Sequence, residues 1–136
     1  MNLISDSSFK GMHNGKPTAL YTLKNKNGLI AQITNYGATI VGIYIPDRNG
    51  ILTDIVQGFD TLEEYMTGNS PYMGVICGRC ANRIAKGKFT LLDKTYTLAV
   101  NNGPNHLHGG ITGFSKMVWD VVHAAESAVQ MQYLSM

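Results

Sequence analysis

Lys88-Phe89-Thr90-Leu91-Leu92-Asp93-Lys94-Thr95-Tyr96-Thr97-Leu98-Ala99-Val100 is the stretch that decides the fold class. Tyr96, Leu98 and Val100 alternate with polar or small neighbours, the period of two at which a strand sends side chains to one face. Two strands, Lys88 to Leu92 and Thr95 to Val100, are predicted to flank a turn at Asp93-Lys94.

The same pattern extends upstream. Thr18 to Leu23 and Leu29 to Thr34 read as strands, joined by Lys24-Asn25-Lys26-Asn27-Gly28, whose Asn and Gly can take the positive φ of a hairpin connection. Ala38 to Ile45 is rich in β-branched residues and stops at Pro46-Asp47-Arg48-Asn49-Gly50, a further hairpin signal. Downstream, Met117 to His123 and Ala128 to Leu134 complete the set, with Val129, Met131 and Tyr133 on one face.

One short helix interrupts the strands. Thr61-Leu62-Glu63-Glu64 has capping-box spacing, with Thr61 accepting from the Glu64 backbone N–H and Glu64 reaching back, and the helix is predicted to run to about Met66 and end at Gly68. No internal repeat or low-complexity linker appears. The chain therefore reads as all-β, an antiparallel β-sandwich occupying residues 1–136 as one domain.

Composition narrows the partners. The 136 residues are 44% hydrophobic and 15% charged, which suits a packed core. A net charge of +2 without basic runs gives no footprint for nucleic acid or anionic lipid, and no apolar run approaches the ~20 residues that span a bilayer. The N-terminus lacks the features of a signal peptide, so a cytoplasmic location is expected. The chain stops at Met136 after an apolar strand, without a cap or charged tail, which suggests a fragment or an element that pairs with another chain. Self-association through the Ala128 to Leu134 edge is expected.

The chemistry-bearing residues gather in two Gly-rich stretches. Gly78-Arg79-Cys80-Ala81-Asn82-Arg83-Ile84 and Asn105-His106-Leu107-His108-Gly109-Gly110 bring guanidinium, amide and imidazole groups together with glycines that permit close backbone approach. A polyhydroxylated ligand both donates and accepts hydrogen bonds, so Asn82, Arg83 and, as a second guanidinium, Arg79 are suited to it. His108 has an apolar neighbour and two glycines beside it, and an imidazole can donate or accept near neutral pH. Taken one at a time, these residues leave the function open: a loop Arg is commonly a solvated charge, an Asn a turn former and a lone His a structural group.

Cys77-Gly78-Arg79-Cys80 is a CxxC. Redox pairs of this spacing usually open a helix, which Ala81 to Gly87 is too short to supply, and zinc would have to recruit His106 and His108. Two reduced, partly buried thiols are the simpler reading. His13 and His123 are read as incidental.

In order along the chain, Asn35-Tyr36-Gly37-Ala38-Thr39-Ile40, Asp54-Ile55-Val56-Gln57-Gly58-Phe59, Pro71-Tyr72-Met73-Gly74, the two Gly-rich stretches and Gly113-Phe114-Ser115-Lys116 through Trp119 resemble the N-terminal half of the galactose mutarotases, or aldose 1-epimerases. The resemblance implies a mutarotase-like β-supersandwich that interconverts α and β anomers of an aldohexose such as galactose or glucose, by acid–base ring opening, without metal or organic cofactor. It implies that Asn82 and Arg83 bind sugar hydroxyls and that His108 is a catalytic-site histidine, positioning and polarising the sugar near its ring oxygen. The family's second histidine, sugar-binding aspartate and base glutamate have no counterpart here, so the fragment alone is expected to be inactive. A non-catalytic carbohydrate-binding domain is the rival reading, and a structural or oligomerising domain a second.

Overall fold

The computed structural model describes residues 3–67 and 72–136. Its strands run in chain order as β1 (Gly11–His13), β2 (Lys16–Thr18), β3 (Leu20–Lys24), β4 (Ile30–Thr34), β5 (Thr39–Pro46) and β6 (Leu52–Asp54), then α1 (Leu62–Thr67). β7 (Arg83–Ile84), β8 (Lys88–Leu91), β9 (Lys94–Thr97), β10 (His106–Leu107), β11 (Asp120–Ala125) and β12 (Ala128–Gln132) follow. Every pairing between these strands is antiparallel, and α1 is the single α-helix among the described residues. The all-β, antiparallel expectation is met.

β3, β4, β5 and β6 form a four-stranded sheet in sequence order. Its turns follow from side-chain chemistry. Asn25 Oδ1 accepts the N–H groups of Asn27 and Leu29, both at 2.9 Å, and closes the β3–β4 connection. Asp47 Oδ1 accepts those of Asn49 at 2.8 Å and Ile51 at 2.9 Å and closes the β5–β6 connection. Each is a carboxylate or amide standing in for a backbone carbonyl, as Asx turns do. A bulge at Gln32/Ile33 shifts the β4–β5 register by one residue.

The core lies where this sheet meets the N-terminal segment and α1: Phe9, Leu20, Tyr36, Val41, Leu62, Tyr65 and Val118 cluster there, with Ile4 and Phe59 against them. Gln32 is buried in β4 yet fully satisfied. Its Oε1 accepts from the Ile4 N–H at 3.0 Å and the Tyr44 hydroxyl at 3.1 Å, while Nε2 donates to the Ile4 carbonyl at 2.9 Å and Thr22 Oγ1 at 3.0 Å. This amide ties residue 4 to three strands, where burial would otherwise carry a large desolvation penalty.

The capping box is half as expected. The Glu64 N–H donates to Thr61 Oγ1 at 3.3 Å, but the Glu64 carboxylate accepts the Thr61 hydroxyl at 2.7 Å instead of reaching a backbone N–H. The predicted stop at Gly68, like Pro71, lies outside the described residues.

The remaining strands form two-stranded ribbons. In the β8–β9 ribbon Leu91 pairs with Lys94, so the turn is Leu92-Asp93, one residue before the Asp93-Lys94 predicted. Both turn residues have positive φ, 49° and 58°, matching the right-handed twist of the strands they join. Leu98 and Val100 fall beyond β9. The ribbon is exposed on both faces, and Phe89 stacks on Tyr96 with ring centroids 5.1 Å apart.

The β11–β12 ribbon spans shorter segments than expected, but Val129, Met131 and Tyr133 do share the half-buried side. It joins the main sheet where the Lys24 N–H donates to the Glu126 carbonyl at 2.7 Å. Asn35 secures the entry to β11: its carbonyl accepts the Trp119 N–H at 2.8 Å, and its side chain accepts from the Ala19 N–H at 2.8 Å. Trp119 donates from Nε1 to the Phe114 carbonyl at 3.2 Å, and its ring packs with those of Phe114 and Tyr133 at 5.9 and 5.8 Å. No helix among the described residues is long and apolar enough to cross a membrane.

Candidate functional site

The two Gly-rich stretches meet as a ribbon, β7 against β10, with Ile84 opposite His106 and Arg83 opposite Leu107. Strands of two residues have little stability of their own, so the ribbon depends on what braces it. The brace is the turn Asn101–Asn105. Asn101 Oδ1 accepts the Leu107 N–H at 2.7 Å and its Nδ2 donates to the Leu107 carbonyl at 3.0 Å, as a neighbouring strand would. Asn105 Oδ1 accepts the Lys86 N–H at 3.2 Å on the β7 side.

One step beyond the ribbon, Asn82 and His108 face each other. The His108 N–H donates to the Asn82 carbonyl at 3.0 Å, and the Asn82 N–H donates to His108 Nδ1 at 2.9 Å. Because Nδ1 accepts, a neutral His108 carries its hydrogen on Nε2. Asn82 and His108 both take positive φ, 58° and 49°, as does Tyr72 at 63°, whose ring centroid lies 4.7 Å from that of His108. Non-glycine residues occupy this region at a cost of about 1–3 kcal/mol each, and such residues concentrate at functional sites.

Arg83 is exposed, yet its guanidinium is held at two points. Nε donates to Asn102 Oδ1 at 2.9 Å and Nη1 to Asn82 Oδ1 at 3.1 Å. Of the five guanidinium N–H groups, two are used and three remain. With its oxygen bound to Arg83, the exposed Asn82 keeps its two amide hydrogens for a ligand. Asn82, Arg83 and His108 together therefore present hydrogen-bond donors, suited to the oxygen lone pairs of a polyol.

The structure brings these three sequence candidates together and separates others from them. Arg79 turns away: its Nε donates to Ser135 Oγ at 2.7 Å and its Nη2 to the Met136 carbonyl. It lines a different hollow, of about 480 Å³, with Ile84, His106, Phe114 and Tyr133. His106 is buried, with Nδ1 at 2.8 Å from the Ala99 carbonyl. Cys77 and Cys80 are free thiols, and burial pushes the Cys77 thiol up from its ordinary range, opposite to what a reactive thiolate needs. Among the described residues no group of three or more His, Cys, Asp or Glu side chains could hold a metal ion.

Glycine serves the site through the close backbone approach expected of it, here of one loop to the other. Gly109, with φ 90°, lies so close to the Gly78 carbonyl that a Cβ would collide with it. The space is taken up by one loop packing on the other. Sequence reasoning missed Tyr72, Asn101 and Asn102. The signal available for the asparagines was the Asn101-Asn102-Gly103-Pro104 turn composition; for Tyr72 there was none beyond its place in a motif block.

The chain matches the family model described as Aldose 1-epimerase over residues 19–136. It is 53% identical to galactose mutarotase of Bos taurus over 91 residues, covering 67% of this chain and 26% of that protein. It is 44% identical to galactose mutarotase of Sus scrofa over 116 residues, covering 85% and 34%. The crystal structure of an aldose epimerase homologue from C. elegans superposes with a TM-score of 0.80 at 38% identity, over 84% of this chain and 35% of that one. The chain thus spans about a quarter to a third of the length of these relatives. On the extent of the family match and the ordered motifs within it, the chain belongs to the aldose 1-epimerase family.

Proposed function

We propose that the chain carries the sugar-binding portion of an aldose 1-epimerase acting on an aldohexose such as galactose or glucose. The observation that carries this reading is the reciprocal backbone and side-chain contact between Asn82 and His108, which joins the two motifs and leaves Nε2–H as the free imidazole donor. Asn82 and Arg83 would bind sugar hydroxyls, and the His108 donor would bond the ring oxygen.

Anomer exchange proceeds as a base takes the proton from the C1 hydroxyl, the bond from C1 to the ring oxygen breaks, and an acid protonates that oxygen. Rotation about C1–C2 and reclosure in the reverse sense yield the other anomer. In this reading His108 polarises the ring oxygen through its Nε2–H. Among the described residues Glu63 and Glu64 lie on α1 and Glu126 in the β11–β12 turn, and we assign the base role to none of them. We assign turnover to a polypeptide of family length.

In such a polypeptide, Arg83→Ala and His108→Ala are each expected to lower the rate of anomer interconversion by about 10²-fold or more, followed by polarimetry. Wild-type rates in both variants would remove these residues from the site. A second reading, a non-catalytic carbohydrate-binding domain, needs only the donors that Asn82, Arg83 and His108 present. Sugar binding by saturation-transfer NMR without rate acceleration in the family-length protein would select it.

A further inference from the structure

We infer that Asn102 is the positioning residue for Arg83, fixing the guanidinium toward the sugar while leaving its charge free for the ligand. The inference rests on the sugar-binding reading of the site. An exposed arginine has many rotamers to lose, so a ligand that must first order it binds correspondingly weakly. Arg83 is already ordered, by Asn102 Oδ1 on Nε at 2.9 Å and Asn82 Oδ1 on Nη1 at 3.1 Å.

Both acceptors are neutral amides. Among the described residues the single ion pair is Lys16–Asp120, elsewhere on the surface, so no carboxylate neutralises Arg83. Nη2 remains available with the charge undiminished.

The two amides differ in role. Asn82 is itself proposed to touch the sugar, whereas Asn102 reaches the site through Arg83. Asn102 is fixed independently of any ligand. Its N–H donates to the Asn105 carbonyl and its carbonyl accepts the Asn105 N–H, each at 3.0 Å, within the turn that also braces Leu107 and Lys86. The turn that sets the strand leading to His108 thus also aims Arg83, and the two groups keep a fixed relation.

The test uses the whole 136-residue chain, which has arginines only at 48, 79 and 83, so the Arg83 Nε–H signal can be assigned by its loss in Arg83→Lys. In the wild type this signal is expected to be protected from solvent exchange. In Asn102→Ala it is expected to lose that protection, and galactose affinity measured by NMR titration to fall about tenfold, with the backbone spectrum otherwise intact. Asn102→Asp keeps an acceptor and is expected to restore the protected signal, which also covers the case in which the alanine variant does not fold. Undiminished protection in Asn102→Ala, or weakened sugar binding without any change at Arg83, would overturn the inference. A wild-type chain with a protected Arg83 and no affinity for galactose or glucose would instead sink the sugar reading, and the exchange measurement would still decide what Asn102 does to Arg83.

Discussion

Single residues in this chain show how much a polar group's partners matter. Gln32 and Thr18 are both buried polar residues, but the Gln32 amide has four hydrogen bonds while Thr18 Oγ1 has none among the described residues. Removing an unpaired hydroxyl while keeping the β-branched shape releases its desolvation penalty. Thr18→Val is therefore expected to stabilise the fold by about 1 kcal/mol, read as a higher urea midpoint at unchanged slope. A lower midpoint would show that the hydroxyl has a partner after all. At this scale motif positions in the sequence single out Asn82, Arg83 and His108, and the fold brings the three together. The bond from Arg83 to Asn102 was not legible, because it forms only once a turn 19 residues away folds back on Arg83.

At the scale of elements, strands with enough residues to display a period were readable and those without were not. β3, β4 and β5 lie within one or two residues of expectation at their ends, since alternation and Asx-turn chemistry are local. β7 and β10 have two residues each, too few to alternate, and they exist because Asn101 clamps Leu107. The β8–β9 turn shows a conflict between composition and geometry. A two-residue loop with both φ values positive favours Asn-Gly, yet Leu92 and Asp93 occupy it, and the Leu92 side chain is 91% exposed. Replacing the pair, Leu92→Asn with Asp93→Gly, is expected to raise stability by about 1 kcal/mol and the thermal midpoint with it. An unchanged or lower midpoint would mean that the Leu92 side chain has a packing role.

Across the whole molecule the core includes Tyr36, Tyr44 and Tyr65, and that sets an alkaline limit. Burial raises Tyr36, Tyr44 and Tyr65 above the ordinary value of 10.0; Tyr44 and Tyr65 are also raised by nearby carboxylates, and partly offset by hydrogen bonds. A raised value means that the folded state holds its proton more tightly than the unfolded state. The contribution is then complete below about pH 10 and is lost as pH climbs through the folded values. Urea midpoints should accordingly fall on the alkaline side of pH 10, less steeply in Tyr36→Phe, and a flat profile there would contradict the burial of these phenols. The all-β class could be read from the chain in advance because period two is a local property. The meeting of the two motifs could not, since it depends on contacts between distant turns. Trp119, the chain's single tryptophan, sits where several of those turns converge. Phe114 packs against its ring and donates its N–H to the Gly78 carbonyl, and Tyr133 follows β12. Its emission is therefore an unlabelled optical gauge of the Gly78 loop and the last ribbon together, free of competing indoles elsewhere.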